Sequence, residues 1–148
     1  MLSSYYRGRT DWRSAMGAVR KRSKQRDSIQ RFLETRRDHP TAETVYHHIR
    51  EEIPNISLGT VYRNLALLSE MGEIRKISTD EGPDRFDPIT TPHDHFVCRQ
   101  CGSLIDMSGT RAPRLIKEAQ KDFEGQIDDQ RTFFYGTCPA CMKKNQSA

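Results

Sequence analysis

Between Asp87 and Asp106 the chain reads DPITTPHDHFVCRQCGSLID, which brings histidines, aspartates and cysteines into one short segment. Cys98 and Cys101 form a C-x-x-C knuckle, and Cys138 and Cys141 form a second one near the C-terminus. Together they offer four thiolates, the closed tetrahedral donor set that suits structural Zn2+ and leaves no position for a substrate. The gap of about 36 residues between the pairs is longer than in common zinc ribbons, and a metal there would staple everything inside it. A redox dithiol and an iron–sulfur centre are the competing uses of the same residues. His93 and His95 stand at i, i+2, so on a strand they point to one side. They need partners from elsewhere, and Asp87, Asp106 and His39 are the candidates. Nitrogen and oxygen donors without sulfur suit Fe2+, Mn2+ or Zn2+.

Such sites need elements to hold them, and the chain has little to build with. It is 148 residues long and 34% hydrophobic, with a mean hydropathy of −0.81. One or two small domains with modest cores follow, and a structural metal or a dimer interface would add stability. The net charge of +4 is unevenly spread: residues 1–50 carry 12 Lys and Arg against 5 Asp and Glu. One basic end beside a mildly acidic one points to a polyanion met at one end only, the bland alternative being a solvated basic face. No apolar run is long enough to span a membrane, and MLSSYYRGRTDW lacks the apolar stretch of a signal peptide. The expectation is a cytoplasmic protein, in which paired cysteines bind metal rather than form disulfides.

Helical spacing predicts a short helix over 11–22, with Trp12, Met16 and Val19 on one face, and another from Ser23 or Lys24 to Arg37. Pro40 ends that helix at His39. Thr41 caps a helix reaching Ile53, and Ser57 caps one ending at Gly72, whose face is Leu58, Val61, Leu65, Leu68 and Met71. Helix, short turn and helix make a helix-turn-helix pattern. Thr60, Tyr62, Arg63 and Asn64, near the start of the second helix, are the candidates for DNA contact. Two short strands, EIRKIS and RFDPI, then form a wing. Residues 88–92, PITTP, read as a hinge. Beyond it, HFVC and SLIDM are strands, 113–124 is a helix with Leu115, Ile116, Ala119 and Phe123 on one side, and Thr132–Tyr135 is a strand. That strand is a pairing hazard that a second subunit would cover. The tail from Met142 is expected to fray, and His47 and His48 to lie on the surface.

The segments HPTAETVY from His39, SLGTVYRNL from Ser57, RFD from Arg85, HDHFVCRQCG from His93 and YGTCPAC from Tyr135 together resemble the ferric uptake regulator (Fur) family. The resemblance covers about residues 22–142. It implies an α+β chain: an N-terminal winged helix-turn-helix domain (1–88), a hinge (89–92) and a small α/β dimerisation domain (93–148). It also implies a homodimer that represses transcription from a palindromic double-stranded DNA operator. The family's regulatory metal site falls on His39, Asp87, His93, His95 and Asp106, for Fe2+ or Mn2+, beside structural Zn2+ on the four cysteines. Aspartate at position 87 resembles the peroxide-responsive (PerR) group, in which Fe2+ and hydrogen peroxide oxidise histidine ligands, here His39 and His93. Arg63 is nearer the iron-uptake members, so an iron or zinc sensor is the alternative. The family's frequent additional metal site is degraded, with Pro92 and Gln130 where histidines are usual. Two other classes fit less well. A metalloenzyme on His93 and His95 lacks a separate substrate pocket, and an RNA-binding module lacks aromatic platforms in its basic half.

Overall fold

The computed structural model describes residues 23–80 and 82–147. The helix expected over 11–22 lies outside them. Helices α1 (Lys24–Glu34), α2 (Ala42–Glu52) and α3 (Leu58–Glu70) come first, then strands β1 (Arg75–Ile77) and β2 (Arg85–Asp87). Strands β3 (His95–Cys98) and β4 (Leu104–Asp106) follow, then helix α4 (Ala112–Gln120), strand β5 (Phe133–Gly136) and helix α5 (Pro139–Gln146). This is the expected α+β chain with a winged helix first.

The three N-terminal helices bury one apolar stripe each. Ile29, Phe32 and Leu33 of α1 meet Val45 and Ile49 of α2 and Val61, Leu65 and Leu68 of α3, with Ile74 and Phe86 closing the base. Each such side chain contributes roughly 1.5–3 kcal/mol on burial. The starts of α2 and α3 are fixed by the two caps expected from sequence: Thr41 Oγ1 accepts from Thr44 N at 3.2 Å, and Ser57 Oγ from Thr60 N at 3.1 Å. Ser57→Ala is expected to cost ~1 kcal/mol, read as a lower urea midpoint at an unchanged slope. Helix α1 stops earlier than its pattern suggests, because Thr35 Oγ1 bonds the Phe32 carbonyl at 2.8 Å and competes with the helical ladder.

Strands β1 and β2 pair antiparallel, Arg75 opposite Asp87 and Ile77 opposite Arg85. The second sheet runs β4-β3-β5: β3 pairs antiparallel with β4, His95 opposite Asp106, and parallel with β5, His95 opposite Phe133. A small core joins the wing to this sheet, with Ile77 of β1 packed against Val97 and Leu104. Strand β5 is thus covered on one edge from within the chain, by β3.

Two elements differ from expectation. The tail is helix α5 rather than frayed, because Cys138 caps it and Pro139 suits a first helical turn. Helix α4 ends at Gln120, short of the 124 expected; it buries Ile116, while Leu115 is 38% and Phe123 54% exposed. Among the described residues no helix is long and apolar enough to cross a membrane.

Candidate metal centres

Strand β3 delivers Cys98 to a tight turn, closed by Gly102 N to the Cys98 carbonyl at 2.8 Å with Gly102 at φ +72°. Cys101 lies in that turn. Cys138 and Cys141 start α5, where the Cys138 thiol accepts from Cys141 N at 3.4 Å. The N–H of Cys138 in turn donates to the Cys98 sulfur at 3.3 Å. Gln100 and Asn145 exchange two amide hydrogen bonds of 3.1 Å, tying the turn to α5. The four sulfurs all lie within 4.8 Å of one another, and Cys101 Sγ is 3.8 Å from Cys138 Sγ. Four sulfurs about 2.3 Å from one zinc ion would be about 3.8 Å apart, so the donor set fits Zn2+ with little movement.

Electrostatics favour the same ion. Backbone N–H groups of Cys101 and Cys138 bring the Cys98 thiol down to about 6, whereas burial and the neighbouring thiols push Cys141 up to about 12. One thiolate is ready-made, and four together demand a cation. The cysteines are free rather than bridged.

The second cluster is assembled from five separate places. His39 follows α1 in a left-handed conformation, φ +52°, which costs a non-glycine residue about 1 kcal/mol or more. Asp87 ends β2, His93 precedes β3, His95 starts β3 and Asp106 ends β4. One ligand atom from each falls within 4.8 Å of all the others. Asp106 Oδ1 is 2.8, 3.0 and 3.4 Å from Nε2 of His39, His93 and His95. Asp87 Oδ2 is 3.7, 3.0 and 3.4 Å from the same three nitrogens. Donors about 2.0–2.2 Å from a shared ion are separated by about 2.9–3.6 Å along neighbouring edges. Three imidazoles and two carboxylates also cancel the charge of a divalent ion.

The surroundings prepare these atoms. His39 Nδ1 bonds the Leu104 carbonyl at 3.2 Å and His93 Nδ1 the Thr91 carbonyl at 2.8 Å, which aims each Nε2 inward. Asp87 uses its other oxygen to accept from Ile89 N at 2.8 Å. His39 and Asp87 are each 1% exposed. Burial alone would lower His39, but Asp87 and Asp106 outweigh it and raise its pKa. Burial likewise opposes the ionised form of Asp87, but hydrogen bonds from His39 and His95 hold it well below the usual carboxylate range. Asp94 faces away from the cluster. It is 2% exposed and its carboxylate accepts from Arg111 Nη1 at 2.6 Å and from Arg111 N at 3.1 Å. Sequence reasoning left Arg111 unremarked and took Arg85 only as part of the RFD segment, since a lone arginine carries no spacing signal.

On α3, Tyr62 is 43% exposed and its hydroxyl donates to Glu43 at 2.8 Å. Arg63 donates to Thr60 Oγ1 at 3.1 Å, itself 2.9 Å from Ser57 Oγ. Asn64 departs from the expected outer face. It is 8% exposed and its amide donates to the Thr60 carbonyl at 2.9 Å, back into its own helix. His47 and His48 are on the surface, His48 stacked at 4.3 Å on Phe32.

The model of the ferric uptake regulator family matches residues 18–134. The peroxide-responsive repressor PerR of Staphylococcus aureus (strain USA300) is 32% identical over 120 residues, 81% of each chain. Among solved structures, the Helicobacter pylori ferric uptake regulator Fur superposes with a TM-score of 0.72 at 26% identity, covering 82% of each chain. The Campylobacter jejuni peroxide stress regulator does so with a TM-score of 0.68 at 29% identity, covering 79% of this chain and 88% of that one. With the family's motifs spread over both sheets and the match spanning most of its length, this chain belongs to the ferric uptake regulator family.

Proposed function

We propose that this chain is a homodimeric transcriptional repressor that binds a palindromic DNA operator when metal fills the five-donor cluster. The observation that carries this reading is the origin of the donors. His39 and Asp87 precede the 88–92 segment and His93, His95 and Asp106 follow it, yet five ligand atoms meet within 4.8 Å. An ion bound by all five holds the wing and helices in one orientation against the second sheet. In a dimer that orientation sets the spacing of two α3 helices, and half-site spacing is what a palindrome measures. The ion acts only through its differential affinity for that arrangement. Thr60, Tyr62 and Arg63 supply the DNA-facing side chains. Asn64 supports them by packing rather than by contact. The edge position of β5 and the exposed Phe123 and Leu115 support a second subunit on that face.

Within this class we favour hydrogen peroxide as the signal. Aspartate at 87 and the similarity to peroxide-responsive proteins support it. Bound Fe2+ would supply the electron that splits peroxide beside the imidazoles. His93, with a side chain 10% exposed, is the more open of the two expected targets, and His39 the more buried. An oxidised imidazole donates poorly, so the clamp loosens and DNA is released. The test is peptide mass spectrometry after peroxide treatment. Oxygen should be added at His93 or His39 in the Fe2+ form and not in the Mn2+ form; equal oxidation of both forms would refute the peroxide reading. The second reading, a sensor of iron or zinc level, is favoured by Arg63 and by the likeness to the Helicobacter pylori ferric uptake regulator. It predicts operator binding that tracks Fe2+ or Zn2+ concentration and ignores peroxide.

A further inference from the structure

Arg85 stands outside both donor sets, yet it touches the backbone of each. Its guanidinium donates through Nη1 to the carbonyl of His39 at 3.3 Å and through Nη2 to the carbonyl of Gly102 at 3.2 Å. His39 is the ligand with the least favourable backbone, at φ +52°. Gly102 closes the Cys98–Cys101 turn. One planar fork therefore joins the peptide of a five-donor ligand to the knuckle of the four-cysteine centre. A second link runs parallel to it. Strand β4 leaves the knuckle at Leu104, whose carbonyl bonds His39 Nδ1 at 3.2 Å, and ends two residues later at the ligand Asp106. Phe86 N, next to Arg85, bonds the Pro40 carbonyl at 3.1 Å and pins the residue following His39.

We propose that Arg85 is a positioning residue that couples the two metal centres. It holds the His39 peptide in its left-handed conformation against the cysteine knuckle, so the five-donor cluster is pre-formed only while the four-cysteine centre is intact. The proposal rests on the five-donor cluster binding metal, as the proposed function has it. A left-handed histidine relaxes to a commoner conformation when nothing holds its carbonyl, and its Nε2 then leaves the other four donors. Arginine suits the task because its rigid fork presents two donors at once; lysine offers one compact charge and spans one carbonyl at a time.

The experiment uses the full chain carrying zinc on its cysteines, compared with Arg85→Met and Arg85→Lys. Mn2+ affinity is measured by titration, ligand geometry by the absorption spectrum of Co2+ at the five-donor cluster, and zinc by elemental analysis. Arg85→Met is expected to weaken Mn2+ binding at least tenfold and to change the Co2+ spectrum, with zinc unchanged at about one per chain. Arg85→Lys should recover only part of that affinity. Mn2+ affinity within twofold of the parent in Arg85→Met, or a loss that appears only together with loss of zinc, would overturn the coupling. If the parent itself binds no Mn2+ at these donors, the proposed function fails instead, and the two failures are distinct.

Discussion

Cys98→Ser is expected to cost the protein its thiolate-bound zinc and, with it, the folded state of the region from His93 to the C-terminus. Metal analysis should fall from about one thiolate-bound zinc per chain to nearly none, and the thermal transition of this half should vanish. The reasoning is one of magnitudes. The apolar core here consists of Ile77, Val97 and Leu104, with Phe133 and Tyr135 packed against it. Side chains of that kind contribute roughly 1.5–3 kcal/mol each. Ordering the backbone of a segment this long costs about 1–2 kcal/mol per residue. A thiolate zinc site is worth roughly 10–16 kcal/mol at neutral pH, comparable with the whole stability of an ordinary domain. Cys98 is also the sulfur into which Cys138 N donates, so its loss unties α5 from β3 as well. Serine is a poor substitute: its oxygen is hard, stays protonated and sits closer to the backbone. A Cys98→Ser protein that melts cooperatively at the parent's temperature without metal would remove the structural role of this centre.

What the sequence made legible, and what it hid, divides along a physical line. Features set by neighbours in the chain were readable. The caps at Thr41 and Ser57, the knuckles, the i, i+2 histidines and the α3 stripe all depend on residues within four positions of each other. His39 was legible as a ligand through the resemblance of HPTAETVY to the family's motif, a histidine before Pro40 being otherwise open to an ordinary loop role. Its φ of +52° was not, since a left-handed residue is imposed by contacts with Leu104 and Arg85, far along the chain. Asp94 was legible as facing away from the cluster, but not as buried. That required Arg111, whose guanidinium also lies 5.0 Å over the Phe134 ring. Asn64 was misplaced because a polar residue just past a helix start was taken to face outward. Its amide instead satisfies itself on the Thr60 carbonyl, which lets it sit at 8% exposure. Periodicity put Leu115 and Phe123 on one apolar side with Ile116, but it is silent on whether this chain supplies a surface to cover that side.

Asp106→Ala is expected to abolish the metal response of DNA binding while leaving the zinc centre whole. Asp106 Oδ1 is the oxygen nearest His39 Nε2, at 2.8 Å, whereas Asp87 Oδ2 stands 3.7 Å from it. Asp106 also lies opposite His95 across the β3–β4 ladder, so the backbone that carries it is held by strand pairing and survives the loss of the side chain. Alanine therefore removes one donor and one negative charge and little else. The remaining four donors carry a single carboxylate, which leaves a bound divalent ion with net charge in a largely buried site. The variant also loses the shortest contact between His39 and the second sheet, so the four remaining donors hold the ion too weakly to fix the relation between the wing and that sheet. Coupling between two sites of this kind is usually worth about 5–150-fold in affinity. In a fluorescence-anisotropy titration with operator DNA, the parent should bind more tightly with Mn2+ by a factor in that range. The same ratio for Asp106→Ala should fall to about one, with thiolate-bound zinc and thermal stability of the four-cysteine half unchanged. His47→Ala, at an exposed position on α2 away from both centres, should keep the parent's ratio. An Asp106→Ala protein that retains a Mn2+ response within twofold of the parent would show that the oxygen bridging the two lobes is not what transmits the signal. The switch would then have to lie in another element.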